Sequence, residues 1–200
     1  MVTLKVRVTT IEEMLGTASA NPELHEEYIA SKAPDAQTRE EEVAALGAEE
    51  VFEKGMTVFP RNDGRPIVWD YQWKGFFKDA CQSLKKVPGT ECGKIKAYKK
   101  EIDGLVFVAP RMIPVEFDGE IGICQRPLRA QTAQGERIAL ASSECITAGA
   151  VMEFDIQLLL DSHEKAILEM LNYGQLRGFG QWRNSGKGRF RYEVLDRIEG

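Results

Sequence analysis

The sequence predicts a mixed fold of class α+β, and three observations indicate it. Residues 3–9 alternate apolar and polar side chains, which is typical of a half-buried strand. Residues 68–84, VWDYQWKGFFKDACQSL, place most of their aromatic side chains on one face at helical spacing. A second helix is expected after Asp161, and each helix has strand-like segments on both sides.

Long segments separate the first strand from the first helix and the second strand from the third. Helix-like stretches begin at Thr10, Asn21 and Thr38 among many acids, so we interpret residues 10–54 as an acidic helical insertion. Residues 102–108, IDGLVFV, predict a central strand after the first helix. Residues 111–148 contain further strand-like segments, at 121–124 and 137–141, and are predicted to form a β-rich insertion.

The second half of the pattern completes a known arrangement. Residues 151–160 predict a strand, Asp161 and Ser162 are expected to cap the second helix, and Gly174 is expected to end it. Residues 188–195 alternate again as a closing strand. Strand, helix and strand therefore occur twice, which is the order of a ferredoxin-like (RRM-like) core, and we expect one domain over residues 1–200.

Composition argues against several classes of protein. The four cysteines lie far apart without a CxxC pair, and no set of His, Cys, Asp or Glu has the spacing of metal ligands. We therefore expect no metal, no cofactor and no disulfide framework. No apolar run approaches the roughly 20 residues that cross a bilayer, so we expect no membrane partner and a cytoplasmic location.

Charge is distributed unevenly along the chain, although the formal net charge is -5. Acids dominate residues 10–54, whereas Lys and Arg dominate residues 74–100 and 177–191. No acid lies between Leu171 and Tyr192. An acidic protein can thus carry a basic face of the kind that binds nucleic acid.

Residues 178–190, GFGQWRNSGKGRF, are rich in glycine but do not match the two common phosphate-binding motifs. A Walker loop fails because the spacing from Gly180 to Gly186 is one residue too long and Gly188 follows Lys187 in place of Ser or Thr. A dinucleotide fingerprint fails because Arg183 occupies the position of its third glycine. The stretch also follows a predicted helix and enters a strand, the reverse of both motifs.

The spacing of these glycines resembles the signature of the RAMP superfamily of CRISPR-associated RNA-binding proteins. Residues 178–180 (GFG), five further residues and residues 186–188 (GKG) match its pattern G-h-G, five residues, G-x-G, where h is apolar. In that family the loop joins the second helix to the last strand of a ferredoxin-like domain. The sequence prediction places it at the same point.

Two other segments extend the resemblance over residues 68–195, but not over residues 10–54. Lys74-Gly75 is similar to a Lys-Gly pair on the family's first core helix, although residues 71–73 (YQW) replace the usual Pro-Gly-Ser. Residues 129–154 resemble the family's central stretch, in which a glutamate, here Glu144, precedes a turn glycine, here Gly149. The chain looks most like the backbone subunits that coat guide RNA.

The resemblance implies sequence-tolerant binding of a guide-like, single-stranded RNA, with copies of itself or CRISPR-type subunits as further partners. Glycine amides would cradle phosphates, cations would neutralise them, and Trp182 or Phe179 would stack on a base. Alternatively, the glycines only permit a tight turn and the aromatic rings fill the core. The predicted RNA-binding residues are Lys74, Lys78, Arg126, Arg129, Gly178, Phe179, Gly180, Trp182, Arg183, Asn184, Gly186, Lys187, Gly188 and Arg189.

Arg126 and Arg129 flank a proline in what we expect to be a loop between strands. The two arginines would form a finger toward RNA or toward a partner subunit. Pairing with nearby glutamates on the surface is the other interpretation of the same residues.

Catalysis is not expected, although some members of the superfamily cleave RNA. His163 lies in the first turn of the second predicted helix, away from the place that the resemblance gives a catalytic histidine. Asp35, Asp63 and Asp70 are the other candidates, and Asp63-Gly64 is also an ordinary turn pair. Two alternatives to RNA binding without cleavage stay open: an endoribonuclease of the same superfamily, and a protein-binding CRISPR mimic or anti-CRISPR of phage or prophage origin.

Overall fold

The computed structural model describes residues 1–20, 55–132 and 135–200. Backbone contacts divide the chain into two compact units, one of Met1–Met14, Pro60–Glu120 and Ile146–Gly200, the other of Leu15–Phe59 and Ile121–Cys145. In chain order the elements are β1 (Val2–Thr10), β2 (Met14–Leu15), β3 (Ala18–Ser19), β4 (Thr57–Val58), β5 (Arg61–Asn62), β6 (Arg65–Trp69), α1 (Asp70–Leu84), α2 (Tyr98–Leu105), β7 (Val106–Ala109), β8 (Met112–Pro114), β9 (Gly122–Thr132), β10 (Gly135–Ile146), β11 (Val151–Leu158), α3 (Glu164–Arg177) and β12 (Phe190–Glu199).

The first unit contains the predicted ferredoxin-like core. Its four-stranded sheet has the order β12-β1-β11-β7, and every neighbouring pair is antiparallel. Buried and less buried residues alternate along β1 and β11, so one face of each strand supplies Val6, Val8, Phe154 and Ile156 to the core. The α+β prediction is confirmed, and the two strand-helix-strand repeats occur in the predicted order.

Helix α1 supplies the aromatic centre of this core. Trp73, Phe76 and Phe77 are at most 3% exposed, and the ring of Trp73 lies 4.5 Å from that of Phe154 on β11. The helix begins at Asp70, where the side chain of Gln72 accepts a hydrogen bond from the Trp69 amide at 2.8 Å. The predicted range of residues 68–84 was therefore correct except for its first two residues.

The strand predicted over residues 102–108 is half wrong, because its first part is helical. Helix α2 extends to Leu105, and β7 begins at Val106. Ile102 is 2% exposed and faces the core from the helix, whereas Asp103 and Gly104 are exposed. A continuous apolar run in the sequence thus combines one buried helical position with a short buried strand, a distinction that periodicity cannot make over so few residues.

The second core helix, α3, differs at both ends from the prediction. Asp161 and Ser162 lie in a 3₁₀ turn before the helix and do not cap it, since the residue that precedes α3 is His163. Gly174 does not end the helix, which continues to Arg177. A Cβ atom at Gly174 would overlap the ring of Phe190, so this glycine allows β12 to pack closely on α3.

The described residues of the second unit are mostly strand. Its sheet has the order β2-β10-β4-β3, and β9 also pairs with β10 as a long antiparallel hairpin. The Glu144 side chain accepts a hydrogen bond from the Phe59 amide at 2.8 Å, and its backbone carbonyl accepts one from Gly16 at 2.9 Å. Glu144, which the resemblance singled out, therefore joins strand segments from distant parts of the chain.

The described part of the predicted helical insertion is not helical. Strand β1 extends to Thr10, and residues after it form the short strands β2 and β3 in place of the expected helix. The remainder of the insertion, residues 21–54, lies outside the described residues, so its helices stay a prediction, as does the single-domain organisation. In the parts of the chain that the structure covers, no helix has the length and apolar character needed to span a bilayer.

Candidate nucleic-acid interface

The glycine-rich loop, residues 178–188, connects α3 to β12 and is shaped by a close crossing of its two ends. Gly178 and Gly188 have positive φ angles of 76° and 68°. A Cβ atom at Gly178 would overlap the carbonyl oxygen of Lys187, and one at Gly188 would overlap that of Phe179. Glycine is required at both positions because no side chain fits between the crossing segments.

The amides of this loop are already used within the chain. Gly178 donates to the Gly174 carbonyl at 3.0 Å, Gly186 to that of Arg183 at 3.0 Å, and Gly188 to that of Glu13 at 2.7 Å. In this conformation these three amides are therefore not free to bind a phosphate, and a cradle of glycine amides stays a prediction. The structural alternative accounts for them, since they close the turn between helix and strand.

Phe179 was predicted to stack on a base, but it is a core residue. It is 4% exposed, and its ring stacks on that of Trp73 with centroids 4.4 Å apart and planes inclined by 24°. Trp182 differs, since it is half-buried and lies in the loop with a positive φ of 59°. The burial of Phe179 corrects its predicted role, while stacking by Trp182 stays a prediction.

Three guanidinium groups meet at the 3₁₀ turn Arg183–Ser185 inside the loop. Arg177 donates from Nη1 to the Asn184 side chain at 2.6 Å and from Nε to Oδ2 of Asp79 at 2.9 Å. Arg183 donates from Nη1 to the same Asp79 oxygen at 2.8 Å. Hydrogen bonding with Asp79 raises the pKa of the Arg177 guanidinium, so it stays charged.

Arg189 is the third of these groups and lacks an acidic partner within the described residues. Its guanidinium lies against Gly186, where a Cβ atom would be only 3.2 Å from Nη2. The Nε atom is buried and has no hydrogen-bond partner in the described structure. We name Arg177, Arg183 and Arg189 the arginine cluster; a single carboxylate, that of Asp79, bonds to two of its three members.

Lys187 of the loop is paired, as are two predicted lysines of α1. Lys187 forms a close ion pair with Glu13. Lys78 bonds to the Asp103 carboxylate at 2.8 Å, and Lys74 donates to the Asp103 carbonyl at 2.8 Å. These lysines bind a phosphate only by sharing or releasing their present partners, so they are weaker candidates than the arginine cluster.

The second unit contains Arg126 and Arg129, and both lie in strand β9. The expected loop is wrong: Arg126 is opposite Ala141 and Arg129 opposite Ile138 in the register with β10. Pro127 fits this strand because β9 pairs with β10 alone among the described strands, and proline within sheets is tolerated in edge strands. Arg126 is half-buried, which lowers its pKa.

The catalytic candidates do not form a site in the described structure. Asp63 and Gly64 both have positive φ, 49° and 77°, and form the tight turn between β5 and β6. His163 is buried, and its Nε2 lies 3.0 Å from Oε2 of Glu101. Asp35 lies outside the described residues. Within those residues no group of three or more His, Cys, Asp or Glu side chains is arranged to hold a metal ion.

Sequence reasoning missed the two acids that form ion pairs with cations of the glycine-rich loop. Asp79 and Glu13 contact loop residues that follow them by about a hundred residues or more, so no local spacing signals either pair. Arg177 was visible as part of the basic run but was not chosen, because it precedes the glycine pattern by one residue.

Comparison with known proteins gives a fold but no family. No protein family and no curated protein sequence matches the chain. A chain in the cryo-EM structure of the Type III-B Cmr-beta bound to cognate target RNA superposes with a TM-score of 0.58 at 15% identity, covering 99% of this chain and 61% of the other. A chain of a Type IV-B CRISPR complex gives a TM-score of 0.49 at 10% identity, covering 98% and 90%. This protein thus spans about three-fifths of the length of the first of these chains.

Proposed function

We propose that this protein binds single-stranded RNA through its phosphate backbone and serves as a RAMP-type backbone subunit of a CRISPR-like complex. The arginine cluster carries the proposal, since three guanidinium groups lie at one turn and a single carboxylate, that of Asp79, bonds to only two of them. Guanidinium groups bind phosphate oxygens with two parallel hydrogen bonds and remain charged at any physiological pH. Cleavage has no comparable support, so we do not propose an enzyme.

The fold comparison supports the same function. The Type III-B chain with which this protein shares its fold belongs to a complex described as bound to cognate target RNA. By that likeness we propose guide-like RNA as the ligand and copies of this chain or CRISPR-type subunits as protein partners. The RNA contact differs from the sequence prediction in one respect: guanidinium groups, and not glycine amides, hold the phosphates.

Arg189 provides the sharpest test, because its guanidinium has no acidic partner within the described structure. We expect Arg189→Gln to weaken binding of a fluorescein-labelled 20-nucleotide oligo(U) about tenfold, since a hydrogen bond to a charged group contributes about 1.5 kcal/mol. The slope of log affinity against log salt concentration should fall in magnitude by about 0.7, the value for one phosphate contact with a single strand. Fluorescence anisotropy from low to moderate NaCl measures both.

Arg191→Gln is the matched control. It removes the same charge two residues later on β12, where the side chain is exposed and β1 residue Thr9 lies opposite. We expect affinity and salt slope to match those of the wild type. Equal losses of RNA affinity in the two variants would show a general effect of net charge and would contradict the proposed site.

A further inference from the structure

The aromatic residues at the start of α1 divide into a buried set and an exposed one. Trp73 is fully buried, whereas Tyr71, two residues before it, is 56% exposed. Helical residues two positions apart do not share a face, so the side of α1 that carries Tyr71 is turned away from the core. Tyr71 is therefore a large ring that the packing of the fold does not explain.

Tyr71 lies nearly parallel to a second ring. The centroids of Trp69 and Tyr71 are 6.2 Å apart, and their planes are inclined by only 13°. Trp69 is the last residue of β6 and is half-buried, and its amide is fixed by the hydrogen bond to Gln72. The inner ring is thus held by the junction of strand and helix, and Tyr71 presents the more accessible ring.

A cation accompanies the two rings. The guanidinium carbon of Arg111 lies 5.9 Å from the centroid of the Trp69 ring. The backbone carbonyl of Arg111 accepts a hydrogen bond from the backbone amide of Asp70 at 3.0 Å. The Arg111 side chain is exposed and makes no ion pair within the described residues. The nearest acid to Tyr71 in sequence, Asp70, accepts a hydrogen bond from the Tyr71 amide at 2.8 Å.

We propose that Trp69 and Tyr71 form a stacking platform for a base of single-stranded RNA, with Arg111 binding an adjoining phosphate; this rests on the proposed function. Every base has a flat face that stacks on an aromatic ring, and single-strand binding proteins combine such rings with cations. A nucleotide offers a ring to Tyr71 and a phosphate to Arg111 at the same time. An apolar peptide side chain would leave Arg111 without a partner.

Lys74 lies beside this platform on the same helix. It is three residues after Tyr71, the spacing at which helical side chains are neighbours, and its ammonium lies 4.9 Å from the centroid of the exposed Phe107 ring. A strand of RNA leaving the platform along α1 therefore meets a second cation. Lys74 was a predicted RNA contact, but Trp69, Tyr71 and Arg111 were not.

The test compares Tyr71→Leu with Tyr98→Leu in binding to a 20-nucleotide RNA that contains 2-aminopurine, whose fluorescence falls when the base stacks. Tyr98 is the control because it is a half-buried tyrosine beside the Lys85 cation, but it begins α2 and bonds to Gln82. We expect Tyr71→Leu to weaken binding by about five- to 150-fold and to abolish the quenching. Its salt slope should be unchanged because tyrosine is neutral, and Tyr71→Phe should bind like the wild type.

The outcomes separate this proposal from the proposed function. If the wild type binds RNA and Arg189→Gln weakens it, but Tyr71→Leu binds and quenches like the wild type, the platform is wrong and the function stands. If Tyr71→Leu leaves RNA binding intact but reduces self-association in sedimentation, the rings belong to a protein interface and base stacking is overturned. If the wild type binds no RNA, both proposals fail.

Discussion

Replacement of Gly188 by alanine tests whether the glycines of the loop are structural. Gly188 has a positive φ, which costs an alanine about 1–2 kcal/mol. Its added Cβ would overlap the Phe179 carbonyl oxygen, so the crossing must open. Opening breaks two hydrogen bonds, from Gly188 to Glu13 at 2.7 Å and from Phe179 to Gly188 at 2.8 Å, which contribute about 1 kcal/mol each. We therefore expect a loss of about 3–4 kcal/mol.

Gly64→Ala is the matched control, because Gly64 has a similar φ of 77° but open space where a Cβ would lie. It should lose only the backbone cost, so the two variants should differ by about 2 kcal/mol, or about 1 M in the urea midpoint. Tryptophan fluorescence is the assay, since all three tryptophans, Trp69, Trp73 and Trp182, belong to the first unit together with both glycines. Equal midpoints would refute the close crossing as the reason for glycine.

Two further predictions concern buried or paired groups. Asp79→Asn releases Arg177 and Arg183, so we expect stronger RNA binding at low salt and a steeper dependence of affinity on salt. The free energy of unfolding should fall by about 1 kcal/mol, because the lost ion pairs are partly exposed. Weaker RNA binding would contradict this expectation and show that Asp79 orients the two arginines for RNA. Cys92 is buried, and both its hydrogen bonding with Cys81 and its burial raise the pKa of its thiol. Ellman's reagent should therefore label the half-buried Cys124 and Cys145 first in the native protein. Prompt labelling of Cys92 would contradict its burial.

The core could be predicted from the sequence because its signals are local. Alternation along β1 and the spacing of Trp73, Phe76 and Phe77 follow directly from which face of each element is buried. The errors occurred where a short apolar run fits a helix as well as a strand, as at Ile102, or where a glycine could either end a helix or allow close packing. Gly174 was interpreted as a helix end, but it serves close packing against Phe190, which lies 16 positions later in the chain.

The candidate site was predictable in position but not in chemistry. The order of glycines and arginines located the loop between the second helix and the last strand. The use of the amides of Gly186 and Gly188 depends on which carbonyl groups face them, and the carbonyl of Glu13 comes from the far end of the chain. Likewise, whether an aromatic residue stacks on RNA or on the core depends on burial, which separates Phe179 from Tyr71.

The measurement that tests the central claim most directly is ultraviolet crosslinking of a 4-thiouridine-containing 20-nucleotide RNA to the wild-type protein, with the crosslinked peptides identified by mass spectrometry. The account predicts crosslinks in residues 178–189 and near Tyr71, and their reduction in Arg189→Gln at equal total RNA. Crosslinks confined to other parts of the protein, or none at concentrations at which anisotropy reports saturation, would contradict RNA binding at the arginine cluster.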